Sequence, residues 1–276
     1  MRRCGLALLV MCAVLLVGTG TAAAKTGGLV PGQPVMIALG DSWAAGVGAT
    51  AGNGYVPQLH SALQKRYGCL PARAERAADK CKRLQLVDLA LGGATTPSLI
   101  AGQLPTAASL LADRNGDRNP RNDVEVITLH VGGNDVTGPI IAACLGGLTA
   151  GCVATIQAEL TTYRADLETL LSALRSAAGA DTAIVIGTYD NPIATCTLGA
   201  VPGAVLLGAL TLEGGGPIAA GLHDVMRHVA AEHDVLVASV YGELVAADWV
   251  GGNDCLHPRD SGYAKVVAAF LETLGA

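Results

Sequence analysis

Aromatic residues are scarce in this sequence, at 3%, and charged residues make up only 15%, with a formal net charge of −5. Nucleic-acid binding needs clustered Lys and Arg together with rings on which bases stack, so a nucleic-acid partner is excluded. No HExxH pair occurs, and no two of the cysteines beyond residue 24 stand two to four residues apart. Zinc chemistry of the common spacings is therefore disfavoured. The GxSxG elbow is missing around every serine, which argues against the α/β-hydrolase fold. No low-complexity linker or fixed-period repeat interrupts residues 25–276. What the chain does have is an apolar fraction of 51% and 36 glycines among its 276 residues. Disordered chains are charged and poor in apolar groups, so this one folds.

The N-terminus points to export. Arg2 and Arg3 precede an uncharged apolar run from Gly5 to Val17, then Gly-Thr-Gly-Thr and Ala22-Ala23-Ala24. This is the order of a secretory signal, with a small-residue cleavage site. Residues 1–24 are expected to be a signal peptide, and residues 25–276 one secreted or envelope-associated domain beginning at Lys25. A retained anchor is the alternative, because Gly5 to Ala24 is uncharged and close to the shortest bilayer-spanning length. A lipoprotein is disfavoured, since Cys12 follows Met11 where a small residue belongs.

Beyond the signal stand Cys69, Cys81, Cys144, Cys152, Cys196 and Cys255. An even number in an exported chain permits disulfides. Short loops close at the least entropic cost, which pairs Cys69 with Cys81 and Cys144 with Cys152, and by elimination Cys196 with Cys255. The last bridge would tether Cys255 to the segment after the fourth strand, and is worth about 3 to 4 kcal/mol in the chain-entropy account.

Short apolar runs at Val35 to Leu39, Leu84 to Leu89, Val124 to His130, Ala183 to Gly187 and Val235 to Val240 read as five buried strands. Helical spacing joins Val56, Leu59 and Leu63; Val153 to Leu174; Ile218, Leu222, Met226 and Val229; and Tyr263, Val267, Phe270 and Leu274. Buried strands alternating with amphipathic helices predict an α/β fold, a three-layer α/β/α sandwich around a five-stranded parallel sheet. Sites in such sheets lie beyond the carboxyl ends of the strands.

Four unusual segments sit there: Gly40-Asp41-Ser42-Trp43, Leu91 to Thr96, Gly132-Gly133-Asn134-Asp135, and Asp254 to Pro258 past the fifth strand. Serine ester hydrolysis needs a nucleophile, a base, a group that orients the base, and donors for the oxyanion. Ser42 fits the nucleophile, His257 the base and Asp254 its orienter. The Ser42 and Gly93 N–H groups and the Asn134 amide fit the oxyanion donors. Each is ordinary alone: Ser42 could cap a helix, Asp254 could form a turn, and His257 could sit solvated in a loop.

Together and in this order, the segments resemble the blocks of the SGNH hydrolases, the GDSL esterase/lipase family, and closely resemble its secreted actinobacterial branch. The resemblance runs from Gly40 to Pro258. It implies a flavodoxin-like fold without cofactor and a catalytic set of Ser42, Asp254 and His257. It also implies an oxyanion hole of Ser42, Gly93 and Asn134. Two departures stand out: Asp88 occupies the region where the family usually carries Asn, and Trp43 follows the serine where relatives often have another residue.

The expected activity is hydrolysis of carboxylic esters, with short to medium acyl chains, by a monomer that touches lipid or envelope transiently. A carbohydrate O-deacetylase, an acyltransferase and a non-catalytic envelope-binding module are the alternatives. Weaker patterns are set aside. Asp113, Asn115, Asp117 and Asn119 imitate a calcium loop, but Arg118 and Val124 stand where Gly and Glu are required. His223, His228 and His233 are five apart, which spreads them around a helix as surface or core-edge residues. Gly46-Val47-Gly48 loosely imitates a dinucleotide fingerprint, and its glycines are expected instead to let the loop approach substrate. Leu198 to Pro217, with Glu213 its one charge, reads as a buried connection or as an apolar flap over an acyl pocket.

Overall fold

The six residues of β1 (Val35–Gly40) are VMIALG and all are buried. A strand covered on both faces belongs at the centre of a sheet. A computed structural model describes residues 28–67, 84–144 and 146–276 and places β1 inside the sheet, with a neighbour on each side. It pairs in parallel with β2 (Gln85–Asp88) on one side and β3 (Val124–His130) on the other. β4 (Ala183–Gly187) and β5 (Leu236–Ala238) extend the sheet, whose order is β2-β1-β3-β4-β5. Ile37 stands opposite Val87 on one neighbour and Ile127 on the other, so apolar side chains run across the sheet in register.

Helices flank this sheet. α1 (Tyr55–Tyr67) packs on α7 (Asp260–Thr273). α2 (Thr96–Asn115), α3 (Gly133–Cys144) and α6 (Leu222–Glu232) all pack on the long α4 (Ala150–Ala178). The Thr149 hydroxyl caps α4 by accepting from the Cys152 N–H, and Cys152, Ile156, Leu160, Tyr163, Leu167, Leu170 and Leu174 form its buried stripe. The five-stranded parallel sheet between helices is the expected architecture, with β2 and β5 shorter than their apolar runs.

Several elements differ from the sequence pattern. α2 and α3 begin inside segments that read as loops. Thr96 and Gln103 interrupt the buried face of α2, which weakens its apolar period. α3 exposes its helical signal only at Val136, Ile140 and Cys144. Asp254 to Pro258 is a strand, β7 (Asp254–Pro258), paired antiparallel with β6 (Trp249–Gly251) outside the main sheet. Ile218 is buried in a turn ahead of α6 and not on it. Leu198 to Pro217 is not a buried connection: it carries α5 (Ala204–Glu213), in which only Thr211 is buried.

His223 is likewise no surface residue, being fully buried. The Asp117 carboxylate serves its own turn, accepting from the Asn119 N–H and Asn122 Nδ2, both at 2.7 Å. Among the described residues no group of three or more His, Cys, Asp or Glu could hold a metal ion. Disulfides join Cys144 to Cys152 and Cys196 to Cys255. The expected Cys69 to Cys81 bridge and the signal segment lie outside the described residues.

Candidate active site

β1 delivers Ser42 to the top of the sheet through Gly40, whose φ of +140° suits glycine. A Cβ there would lie 2.3 Å from the His130 carbonyl oxygen, so no other residue fits. The Gln103 side chain clamps this residue from α2. Its Oε1 accepts the Gly40 N–H and its Nε2 donates to the Gly40 carbonyl, both at 2.8 Å. Asp41 follows, buried, with Oδ1 accepting the Trp43 N–H at 2.9 Å and Oδ2 accepting the Tyr189 hydroxyl at 2.6 Å. Burial pushes the Asp41 carboxyl up to about 7, against the pull of those two donors. Ser42 itself is half-buried at the turn.

The turn after β2 lies alongside. A Cβ on Gly92 would stand 4.0 Å from Ser42 Cβ, and Gly93, next in the chain, is left-handed at φ +80°. Asn134 opens α3 and donates from Nδ2 to the Ala94 carbonyl at 2.9 Å, leaving its second amide hydrogen for a further acceptor. Asp135 accepts the Thr96 N–H at 3.0 and 3.1 Å and so fastens α3 to the start of α2. The Asp88 carboxylate accepts the Ala90 N–H at 3.1 Å ahead of the same turn.

β7 carries the other half. His257 Nδ1 lies 2.9 Å from Asp254 Oδ2 and 3.1 Å from Oδ1. The same Oδ1 accepts the Leu256 and His257 N–H groups at 2.9 and 3.0 Å. Partial burial pushes the Asp254 carboxyl up, but these donors outweigh it and hold the group below the usual carboxylate range. His257 Nε2 is enclosed and has no hydrogen-bond partner. Gly48, at φ +92°, passes so close that a Cβ would lie 2.5 Å from the Pro258 carbonyl oxygen and 3.0 Å from His257 Cβ. Gly48 thus makes room for the β7 chain, whereas Gly46 lies against Gly54.

A cavity of about 280 Å³ opens at the site. Ser42 and Asn134 line it, with Val136 and Ile140 of α3 and Leu207 and Leu210 of α5. Leu256, beside His257, lines it too, whereas Gly93 does not. The structure therefore brings Ser42 and Asn134 to one cavity and pairs Asp254 with His257. Cys255, between the paired residues, is bridged to Cys196.

Sequence reasoning passed over Gln103 and Tyr189. Gln103 falls at a spacing of four with Leu99, Ala107 and Leu111, a polar residue on an apolar face. Tyr189 stands just past the end of β4, where the strand-end rule applies. Trp43 serves both the cavity and the packing: it touches the cavity, is 4% exposed, and packs edge-on against Tyr189 and Trp249.

Residues 38–265 match the model of the GDSL-like lipase/acylhydrolase family. No curated protein matches the sequence. Among solved structures, a lipase from a goat rumen metagenome is 15% identical with a TM-score of 0.59, covering 87% of this chain and 97% of its own. An extracellular lipase from Streptomyces rimosus is 18% identical with a TM-score of 0.55, covering 87% of this chain and 99% of its own. An acetylxylan esterase from Geobacillus stearothermophilus is 17% identical with a TM-score of 0.50, covering 88% and 94%. At these identities the likeness is one of fold.

Proposed function

Because the chain belongs to the GDSL-like lipase/acylhydrolase family and is a carboxylic ester hydrolase, we propose that it works through an acyl-enzyme on Ser42. His257 Nε2 takes the Ser42 proton as Oγ attacks the ester carbonyl. The oxyanion is met by the Ser42 and Gly93 N–H groups and the Asn134 amide. His257 then returns the proton to the departing alcohol. Water, deprotonated by the same imidazole, attacks the acyl-enzyme, and collapse releases the acid and restores Ser42. Asp254 holds the tautomer with the proton on Nδ1 and stabilises the imidazolium.

One observation carries this reading: the Asp254-bound imidazole keeps Nε2 enclosed and without a partner, next in the chain to Leu256, which lines the same cavity as Ser42 and Asn134. A nitrogen so placed is free to accept a proton. The predominantly apolar lining favours an acyl chain over a sugar, and hence an esterase or lipase over a carbohydrate O-deacetylase.

We further assign the chain to the secreted actinobacterial-type branch, as a monomeric single domain released by cleavage near Ala24. The two disulfides suit an oxidising compartment. Among the described residues no helix is long and apolar enough to cross a membrane. Purified protein and its Ser42→Ala variant should be assayed on p-nitrophenyl esters from acetate to palmitate and on an acetylated oligosaccharide. Cleavage of medium-chain esters that disappears in the variant is the expected result. Turnover that survives in Ser42→Ala would remove the nucleophile, and deacetylation without ester cleavage would favour the sugar substrate.

A further inference from the structure

α5 is mostly half-buried or exposed. Ten residues is shorter than the ~12 to 15 that sustain a helix by itself. Only Thr211 on it is buried, and Leu206 is 61% exposed, yet Ala204, Leu207 and Leu210 form one side of the cavity. Leu207, Leu210 and Leu212 rest against the core, and hydrogen bonds at the two ends of the helix add to that hold. At the N-terminal end, Asn191 Nδ2 donates to the Val205 carbonyl at 3.0 Å.

At the C-terminal end stands Glu213, the only charge between Leu198 and Pro217. A carboxylate at a helix C-terminus opposes the helix dipole, so the helix itself gives no reason for its presence. Its partner supplies one. Glu213 Oε1 is hydrogen-bonded to Nδ1 of His223, whose side chain is fully buried, and Arg227 Nη2 approaches from the solvent side at 3.2 Å. His223 Nε2 accepts the Tyr189 N–H at 3.0 Å, which fixes the ring proton on Nδ1, pointing at the carboxylate. Tyr189 in turn donates its hydroxyl to Asp41, whose other oxygen receives the Trp43 N–H. One chain of hydrogen bonds thus runs from the end of α5 to the turn that holds Ser42.

We infer that Glu213, acting through His223, is the positioning residue that sets the wall formed by α5, and with it the acyl-chain-length selectivity for medium-chain carboxylic esters. The inference rests on Ser42 being the nucleophile at this cavity. An acetyl group projects one carbon beyond the carbonyl and draws little on the wall. A decanoyl chain must lie along it.

Glu213→Ala leaves the buried His223 N–H without its acceptor, while Glu213→Gln keeps an oxygen there. Both should be compared with the unaltered enzyme on p-nitrophenyl acetate and decanoate, with thermal denaturation to confirm folding. The expected result for Glu213→Ala is a KM for decanoate raised at least about tenfold, kcat within about threefold, and acetate hydrolysis within about twofold. Glu213→Gln should restore most of the decanoate KM. An unchanged decanoate KM, or an equal loss on both esters, would overturn the assignment. If Glu213→Ala fails to fold, Glu213→Asp, which keeps the charge but draws the carboxylate back from His223 by one methylene, decides the matter: a decanoate KM raised several-fold supports it and an unchanged one refutes it. Survival of activity in Ser42→Ala would instead discard the nucleophile, and that outcome is read separately from the chain-length ratio.

Discussion

The Trp43 indole nitrogen donates a hydrogen bond of 2.9 Å to the Leu256 carbonyl. It joins the turn that carries Ser42 to the strand that carries His257, two segments 213 residues apart in sequence. A buried indole N–H requires such a partner. Trp43→Phe keeps much of the ring packing and removes the donor. Stability should fall by about 1 kcal/mol, and kcat by roughly tenfold with KM little changed, because the two halves of the site lose register. Denaturation and steady-state kinetics measure both. A stability loss with kcat intact would make the bond structural only.

Asn134 is the side-chain donor among the proposed oxyanion groups. Loss of one such donor costs about a hundredfold to a thousandfold in turnover. Asn134→Ala should therefore retain weak activity with a kcat reduced by that factor. An unchanged kcat would take Asn134 out of the site.

The Cys196–Cys255 bridge closes a sequence separation of 59 residues and anchors β7 within two residues of His257. In the chain-entropy account such a loop is worth about 4 kcal/mol. Mild reduction should lower activity before the fold is lost, since β6 and β7 lie outside the main sheet. Following hydrolysis and circular dichroism through a reductant series tests this. Loss of both signals at one reductant concentration would show the bridge to be a global staple.

Asp41 makes folding sensitive to pH in a particular direction. Its carboxyl is raised by burial to about 7, so the folded state holds the proton more tightly than the unfolded chain. That contribution is complete below about pH 4 and is lost as pH rises through about 7, a change on the order of 4 kcal/mol. Asp254, held low, acts oppositely and only at acid pH. Asp41→Asn should remove the loss between pH 4.5 and 8 that the unaltered protein shows in urea denaturation. Parallel pH profiles for the two proteins would refute this.

The sheet was legible because its strands are buried on both faces and their apolar runs are continuous. β1 and β3 match theirs almost residue for residue. α4 and α7 were legible from their long apolar stripes. α2 hid because its buried face includes Thr96 and Gln103, and α5 because it is apolar almost all round and shows no periodic face. Ser42 and Asn134 stood out by residue type at strand ends, and Asp254 and His257 by residue type and their spacing of three, although they lie within β7. Gln103, Tyr189 and His223 did not, since their roles depend on partners 63, 148 and 34 residues away in sequence. Such distant partnerships leave no local spacing to read.

Every residue of β1 is shielded from solvent, and parallel neighbours flank it on both sides. Backbone amides in such a strand exchange with deuterium only when the whole domain opens. Ser42 begins two residues beyond that strand, so the proposed nucleophile is mounted on a well-protected strand. The histidine is carried by a two-stranded ribbon outside the main sheet. The amides of β7 are therefore expected to exchange before those of β1, which hydrogen exchange would measure.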